Sequence, residues 1–173
     1  ERLDAPFFIR YLFSRNMFQS KNQFEKYKVR LEKTDLYDSV KLEHGNTAMQ
    51  RRDAIRKVIS FDRPILDVGC GEGFYAIPFS QKLKDGAVYH AIDINADMTE
   101  KVKVKAKRKD VENISTYGDI EEFLKTYDGT KIDVILTEVI EHMPLEQSQS
   151  LVQKIIDYVD FNRFVITVPN KDF

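Results

Sequence analysis

The chain has 173 residues, 42% hydrophobic and 32% charged, with no tryptophan. That composition suits one globular domain with a modest extension. The net charge of −1 and pI of about 6.4 leave no global basic field to draw in nucleic acid, so RNA could bind only through a local patch. Cys70 is the only cysteine and cannot form an intrachain disulfide, which favours a reducing, cytoplasmic setting. No apolar run of about 18 residues is present, so no membrane-spanning helix is expected. The chain opens on Glu1 without a methionine and stops just after a strand pattern, which reads as a piece of a longer protein.

Residues 1–60 differ from the rest, being rich in Phe, Tyr, Lys, Arg and Gln with Gly45 as their one glycine. Phe7, Phe8, Tyr11 and Leu12 recur at helical spacing, as do Met49, Ala54, Val58 and Ile59. Two or three helices are predicted, the last capped by Asn46 or Thr47. Their few aliphatic side chains would make a poor independent core, so the segment is expected as a helical extension or lid on the following domain.

From residue 61 a domain of alternating elements begins. Ile65–Val68 reads as a buried parallel strand, Phe74–Leu83 as a helix, and Ala87–Ile94 as a second strand. Ala96–Lys107 follows as a helix capped by Asn95, then Ile114–Tyr117 and Ile132–Leu136 as strands three and four. Pro144–Tyr158 reads as a helix with Pro144 at its first position, and Phe164–Val168 as a fifth strand ended by Pro169. This order predicts a doubly wound, Rossmann-like α/β sheet. Ligands of such sheets bind beyond the carboxyl ends of the strands, where each motif of interest falls.

The first motif is Leu66-Asp67-Val68-Gly69-Cys70-Gly71-Glu72-Gly73, a glycine-rich turn between a strand and a helix. Glycines there let the chain turn sharply and let a ligand approach without a Cβ clash. Asp93, at the end of the next strand, can accept both hydroxyls of a ribose. The spacing departs from the dinucleotide fingerprint, because Phe74 stands where its last glycine would be. Asp67 would also repel a pyrophosphate and suit a cationic ligand. The segment LDVGCGEG resembles motif I of class I methyltransferases. That resemblance implies S-adenosylmethionine as cofactor, held by Asp67, Gly69, Gly71, Gly73, Asp93, Ile94, Asp119, Ile120 and Thr137. Cys70 reads as a small turn residue rather than a nucleophile, with no histidine or lysine beside it in sequence.

The second motif is Thr137-Glu138-Val139-Ile140-Glu141-His142-Met143-Pro144. A helical turn here would put Glu138, Glu141 and His142 on one face. Their mixed oxygen and nitrogen donors suit Mg²⁺, Mn²⁺ or Fe²⁺. The same residues are also compatible with a solvated acidic loop in which His142 caps the next helix. TEVIEHM, followed by a helix and FVITVPNKDF, resembles the catalytic domain of the Hen1 family, over roughly residues 62–173. The resemblance implies methylation of the 2′-hydroxyl on the 3′-terminal ribose of small RNAs. It also implies a divalent metal, manganese or magnesium, on Glu138, Glu141 and His142. The family's further histidine ligand, in an R-H-x-D-H-x-F-E-W segment, lies beyond Phe173 and is assigned neither to His44 nor to His90. His90 is expected in the core and His44 at the surface.

Two other readings stay open. Small-molecule O-methyltransferases, including ubiquinone-pathway enzymes, carry a similar E-x-x-E-H sequence, though the K-P-G-G turn usual before their last strand is replaced here by Tyr158–Arg163. A non-catalytic binding module of the same fold is the third. An RNA 3′ end is the expected partner, with a repair partner domain or protein by family analogy. Lys101, Lys103, Lys105, Lys107, Arg108 and Lys109 read as a solvated helix face. Arg10, Arg15, Lys21, Lys26, Lys28 and Arg30, interleaved with Phe and Tyr, are the better candidates for stacking and charge against RNA.

Overall fold

The structure is a computed structural model and describes residues 8–13 and 47–168. Ten elements alternate from residue 47 on. They are α1 (Thr47–Val58), β2 (Ile65–Val68), α2 (Ala76–Ser80), β3 (Tyr89–Ile92), α3 (Ala96–Arg108), β4 (Ile114–Tyr117), α4 (Ile120–Thr126), β5 (Ile132–Thr137), α5 (Leu145–Tyr158) and β6 (Phe161–Val168). Ahead of them, β1 (Phe8–Phe13) pairs antiparallel with β6, from Phe8 opposite Val168 to Phe13 opposite Arg163.

The sheet order is β1-β6-β5-β2-β3-β4, with β2 to β6 mutually parallel. From β2 the chain winds outward through β3 to β4, then crosses to the other side of β2 for β5 and β6. The point of reversal lies between β2 and β5, which is where such sheets open a crevice at their carboxyl ends.

Side-chain alternation along the central strands separates two apolar layers. Leu66, Val68, Val134 and Leu136 face one way and pack with Phe123 of α4 and Val152, Ile155 and Ile156 of α5. Ile65, Tyr89, Ala91 and Ile135 face the other way and pack with Ala54 and Ile55 of α1, Phe79 of α2 and Val102 of α3. All six residues of β5 are buried, as expected for a strand covered on both faces.

The α/β sheet predicted from the sequence is present, with three differences. Phe8–Phe13 is an edge strand and not part of a helix. Its apolar spacing fits either period over so few residues, and pairing with β6 decides. The helix expected over Phe74–Leu83 is reduced to Ala76–Ser80. A helix absent from the prediction, α4, supplies the crossover that parallel strands β4 and β5 require. Asn46 as a cap, His44, the basic and aromatic side chains of the first 46 residues, and the Pro169-Asn170 loop lie outside the described residues. Among the described residues no helix is long and apolar enough to cross a membrane.

Candidate active site

The glycine turn leaves β2 with three glycines at positive φ: Gly69 at +80°, Gly71 at +51° and Gly73 at +80°. The three are not equivalent. A Cβ on Gly69 would lie 2.2 Å from Val139 Cγ2, and one on Gly73 would lie 2.9 Å from Val102 Cγ2. Gly69 therefore admits the segment after β5, and Gly73 admits α3. A Cβ on Gly71 would meet nothing within 4 Å, so this residue borders open space at the crest of the turn.

The turn is fastened to its neighbours through the backbone. The Gly69 and Cys70 amides both donate to the Ile92 carbonyl at 2.8 Å. The Gly71 amide donates to Asp93 Oδ2 at 2.8 Å, and the Asn95 amide donates to Asp93 Oδ1 at 2.9 Å. Asp93 thus sits against the turn, at the mouth of the crevice, as its sequence position implied. Ile94 beside it is 92% exposed, an apolar side chain standing in solvent at a ligand-facing strand end. Glu72 is paired with Lys101 at 2.5 Å and Lys105 at 3.3 Å, so part of the basic run of α3 secures the turn.

Asp67 lies beneath this turn and is fully buried. Its Oδ2 accepts a hydrogen bond from the Tyr89 hydroxyl at 2.7 Å, while Oδ1 has no partner among the described residues. Burial is the main cause that pushes its carboxyl up to about 7, with Asp93 adding to the rise and Tyr89 opposing it. A carboxyl so placed gains from a cationic ligand, which favours its ionised form. Burial likewise drives the Cys70 thiol far above its ordinary range, with Asp67 and Asp93 reinforcing the shift, so Cys70 is no thiolate nucleophile.

Asp119 follows β4 and caps α4, its Oδ1 accepting from the Glu122 amide at 2.7 Å. Ile120 is buried in the core layer under α4. Of the nine cofactor residues named from the sequence, Asp67, the three glycines, Asp93 and Ile94 are gathered at the ends of β2 and β3. Asp119 and Ile120 stand at the end of β4, and Thr137 closes β5 in a buried position.

The acidic segment differs from the expected helical turn. Glu138 adopts φ +55°, and the turn that follows, Ile140–His142, is a separate 3-10 element. Glu138 therefore does not share a helical face with Glu141 and His142. Its amide donates to the Thr167 carbonyl at 3.0 Å, and its Oε1 accepts from the Thr167 hydroxyl at 3.0 Å. Its Oε2 lies 2.9 Å from Arg51 Nη1 on α1. Arg51 Nε also donates to the Tyr75 hydroxyl at 2.9 Å. Glu141 Oε1 is 3.9 Å from His142 Nε2, whose side chain is 77% exposed. Burial raises the Glu141 carboxyl above its ordinary range, and neighbouring Glu138 adds to the rise.

An open cradle at Gly71, an acid on its rim, an exposed apolar side chain and an orphaned buried carboxylate oxygen together fit S-adenosylmethionine, which carries a ribose, an adenine and cationic groups. The metal does not fit this arrangement. Among the described residues no three His, Cys, Asp or Glu side chains converge on one point, and both oxygens of Glu138 are engaged by Arg51 and Thr167.

Arg51 and Tyr75 were not marked by any sequence motif, and Thr167 lies within FVITVPNKDF without having been named as a site residue. Arg51 and Thr167 are far from Glu138 in the chain and reach it only through the fold, and Tyr75 holds Arg51. His90, expected in the core, is half-buried on β3, with Nδ1 3.0 Å from the Tyr117 hydroxyl and its ring 5.2 Å from Phe123.

The sheet, the glycine turn after β2 and the acid after β3 define a class I S-adenosylmethionine-dependent methyltransferase. The chain belongs to the methyltransferase-domain family, whose model matches residues 65–160, and residues 1–36 match the model of the Hen1 N-terminal domain. No curated protein matches it. Among solved structures, it resembles a chain of the Pnkp1/Rnl/Hen1 RNA repair complex with 25% identity and a TM-score of 0.58, over 83% of this chain and 34% of that one. Magnesium protoporphyrin IX methyltransferase from Synechocystis PCC 6803, with S-adenosylmethionine bound, shares the fold at 23% identity and TM-score 0.51, over 66% of this chain and 53% of that one. Coclaurine N-methyltransferase does so at 20% identity and TM-score 0.50, over 69% of this chain and 36% of that one. The chain thus spans about a third of the length of the repair-complex chain it matches.

Proposed function

We propose that this methyltransferase acts on RNA, transferring a methyl group to the 2′-hydroxyl of a 3′-terminal ribose. One observation carries the reading. The E-x-x-E-H segment stands at the end of β5, its Val139 against Gly69 of the cofactor turn, in a chain that resembles a Hen1-containing complex at 25% identity. The match of residues 1–36 to the Hen1 N-terminal domain supports it independently.

Bound S-adenosylmethionine supplies a methyl group on a sulfonium, already electrophilic enough for attack by oxygen. The protein's part is to hold and orient. Asp93 offers its carboxylate to the cofactor ribose, Gly71 leaves room for the close approach, and Ile94 offers an apolar face to the adenine. Asp67 places a negative charge beneath the turn. On the acceptor side, Glu141 is the carboxylate suited to take the hydroxyl proton, since its raised affinity for protons moves it toward the range of a general base. The proposed site also includes Glu138 and His142, the three being the donors through which Mn²⁺ or Mg²⁺ would be held after rearrangement. An RNA-repair partner and a cytoplasmic location belong to the same reading.

A small-molecule acceptor is the second reading, favoured by the protoporphyrin and coclaurine methyltransferases among the structural neighbours. The test uses the whole natural protein, labelled S-adenosylmethionine and Mn²⁺, with a short RNA ending in either a 2′-hydroxyl or a 2′-deoxy ribose. Transfer only to the hydroxyl end is expected, with loss in EDTA. Cofactor binding without transfer to either end would reject the RNA reading in favour of a small acceptor.

A further inference from the structure

We propose that Phe74 and Arg52 form a stacking platform at the rim of the cofactor crevice, on which the base of the acceptor RNA's terminal nucleotide rests. Phe74 is then a substrate-binding residue, an inference that rests on the RNA reading above.

Phe74 is the residue at which the glycine turn departs from the dinucleotide fingerprint. Its side chain is 40% exposed and belongs to neither apolar layer of the domain. Single exposed aromatic side chains are ordinary, so exposure alone assigns nothing. The surroundings set this one apart. Arg52 of α1 places its guanidinium carbon 5.2 Å from the centroid of the Phe74 ring, a cation over a π face. The ring also meets Tyr75 edge-on, at 5.2 Å between centroids and 87° between planes. It is therefore fixed by its neighbours and still open to solvent. A ring held in this way loses little freedom when a second flat group lies against it.

Three contacts tie its position to the methyl-transfer site. The Phe74 ring touches the Tyr75 ring, the Tyr75 hydroxyl accepts from Arg51 Nε at 2.9 Å, and Arg51 Nη1 lies 2.9 Å from Glu138 Oε2. Phe74 also stands three residues beyond Gly71, which borders open space at the crest of the turn. An acceptor that presents its ribose to the acidic segment meets this ring at the edge of the same crevice.

Charge selects the occupant. Lys101 and Lys105 of α3 both reach Glu72, two residues before Phe74, at 2.5 and 3.3 Å. Two ammonium groups on one carboxylate leave a net positive edge, and Arg52 adds a third cation. A small apolar acceptor gains nothing from that charge. An RNA end, with a π-faced base and a phosphate on its 5′ side, complements both the ring and the cations.

The test measures methyl transfer by the whole protein to short RNAs ending in a normal nucleotide or in an abasic ribose, comparing wild type with Phe74→Ala and Phe74→Trp. Loss of base–aromatic stacking should raise the KM of Phe74→Ala for the normal RNA by about tenfold, with kcat and the KM for S-adenosylmethionine little changed. Phe74→Trp should restore the wild-type KM. All three proteins should share one KM for the abasic RNA, because a platform with no base on it contributes nothing. Cooperative thermal unfolding checks that each variant is folded. The wild type alone supplies a second measurement, since its own KM should rise about tenfold from the normal to the abasic end. A folded alanine variant that keeps the wild-type KM, an equal loss with both RNAs, or a wild type indifferent to the terminal base would overturn the platform and leave the RNA reading standing. No transfer to either RNA by the wild type, with S-adenosylmethionine bound, would overturn both.

Discussion

Replacing each glycine of the cofactor turn by alanine should separate stability from binding. Gly71→Ala puts a methyl group into open space at φ +51°, inside the left-handed region that alanine adopts at a cost of about 1 kcal/mol. For a domain of this size that corresponds to a fall of roughly 2–4 °C in Tm. The same methyl group stands where a ligand must come closest to the backbone, and overpacking there costs about 1–3 kcal/mol, or roughly five- to 150-fold in affinity. Gly69→Ala is the reverse case. At φ +80° its Cβ would lie 2.2 Å from Val139 Cγ2, so strain and overpacking add to about 3 kcal/mol or more before any ligand is considered. Thermal unfolding and calorimetric titration with S-adenosylhomocysteine measure the two effects on the same samples. Gly71→Ala should unfold near the wild type and bind far more weakly, whereas Gly69→Ala should unfold early. The reasoning is refuted if Gly71→Ala keeps its affinity, or if it loses as much stability as Gly69→Ala.

Four further outcomes are expected. The Asp67 carboxyl, held up at about 7, is largely protonated at pH 6, and a cationic cofactor should draw it into ionisation. Binding at pH 6 should then release up to about one proton, read by calorimetry in buffers of different ionisation enthalpy, and a binding heat independent of buffer would contradict this. Because this acid is raised in the fold, its contribution to stability is full at low pH and is lost as pH rises through about 7, so Asp67→Asn should gain on the cofactor-free wild type at pH 8 relative to pH 5. Burial lowers His90 from 6.5 to about 4, so its contribution is full above about 6.5 and is lost as pH falls toward and through about 4, by at most about 3 kcal/mol. Denaturant unfolding of His90→Phe should show a flatter acid limb than the wild type, and parallel limbs would count against this assignment. Finally, Glu138→Ala combined with Glu141→Ala should abolish methyl transfer to RNA while S-adenosylhomocysteine still binds, and a double variant that methylates normally removes the acidic segment from the proposed chemistry.

What could be read in advance was whatever a residue's immediate neighbours decide. β5 is legible because burial on both faces favours a nearly continuous apolar run, and Ile132–Leu136 supplies one interrupted only by Asp133. The cofactor turn is legible because a strand, three closely spaced glycines and a following acid impose local geometry that few other sequences need. α4 could have been read as well. Asp119 caps the helix and Glu122 Oε2 accepts from the Gly118 amide at 2.6 Å, so Gly118-Asp119-Ile120-Glu121-Glu122 carries a capping signal. Only two of its side chains, Ile120 and Phe123, are buried, which left too short a stripe for a periodicity argument. Phe8–Phe13 was out of reach for another reason, because its state is decided by pairing with β6 at the far end of the domain.

The acidic segment shows where spacing stops being informative. Residues at i, i+3 and i+4 converge only if every backbone angle between them is helical, and a single left-handed residue at Glu138 breaks the pattern. Nothing local in T-E-V-I-E-H dictates that angle. It is sustained by contacts from β6 and α1, through Thr167 and Arg51. Those contacts also determine what the carboxylate can do. A Glu138 turned toward Arg51 is a neutralised, well-held side chain. The conformation of the segment therefore depends on an arginine that no motif includes. Substituting Arg51 tests that dependence more sharply than substituting the glutamate, since loss of Glu138 would also remove its contact with Thr167.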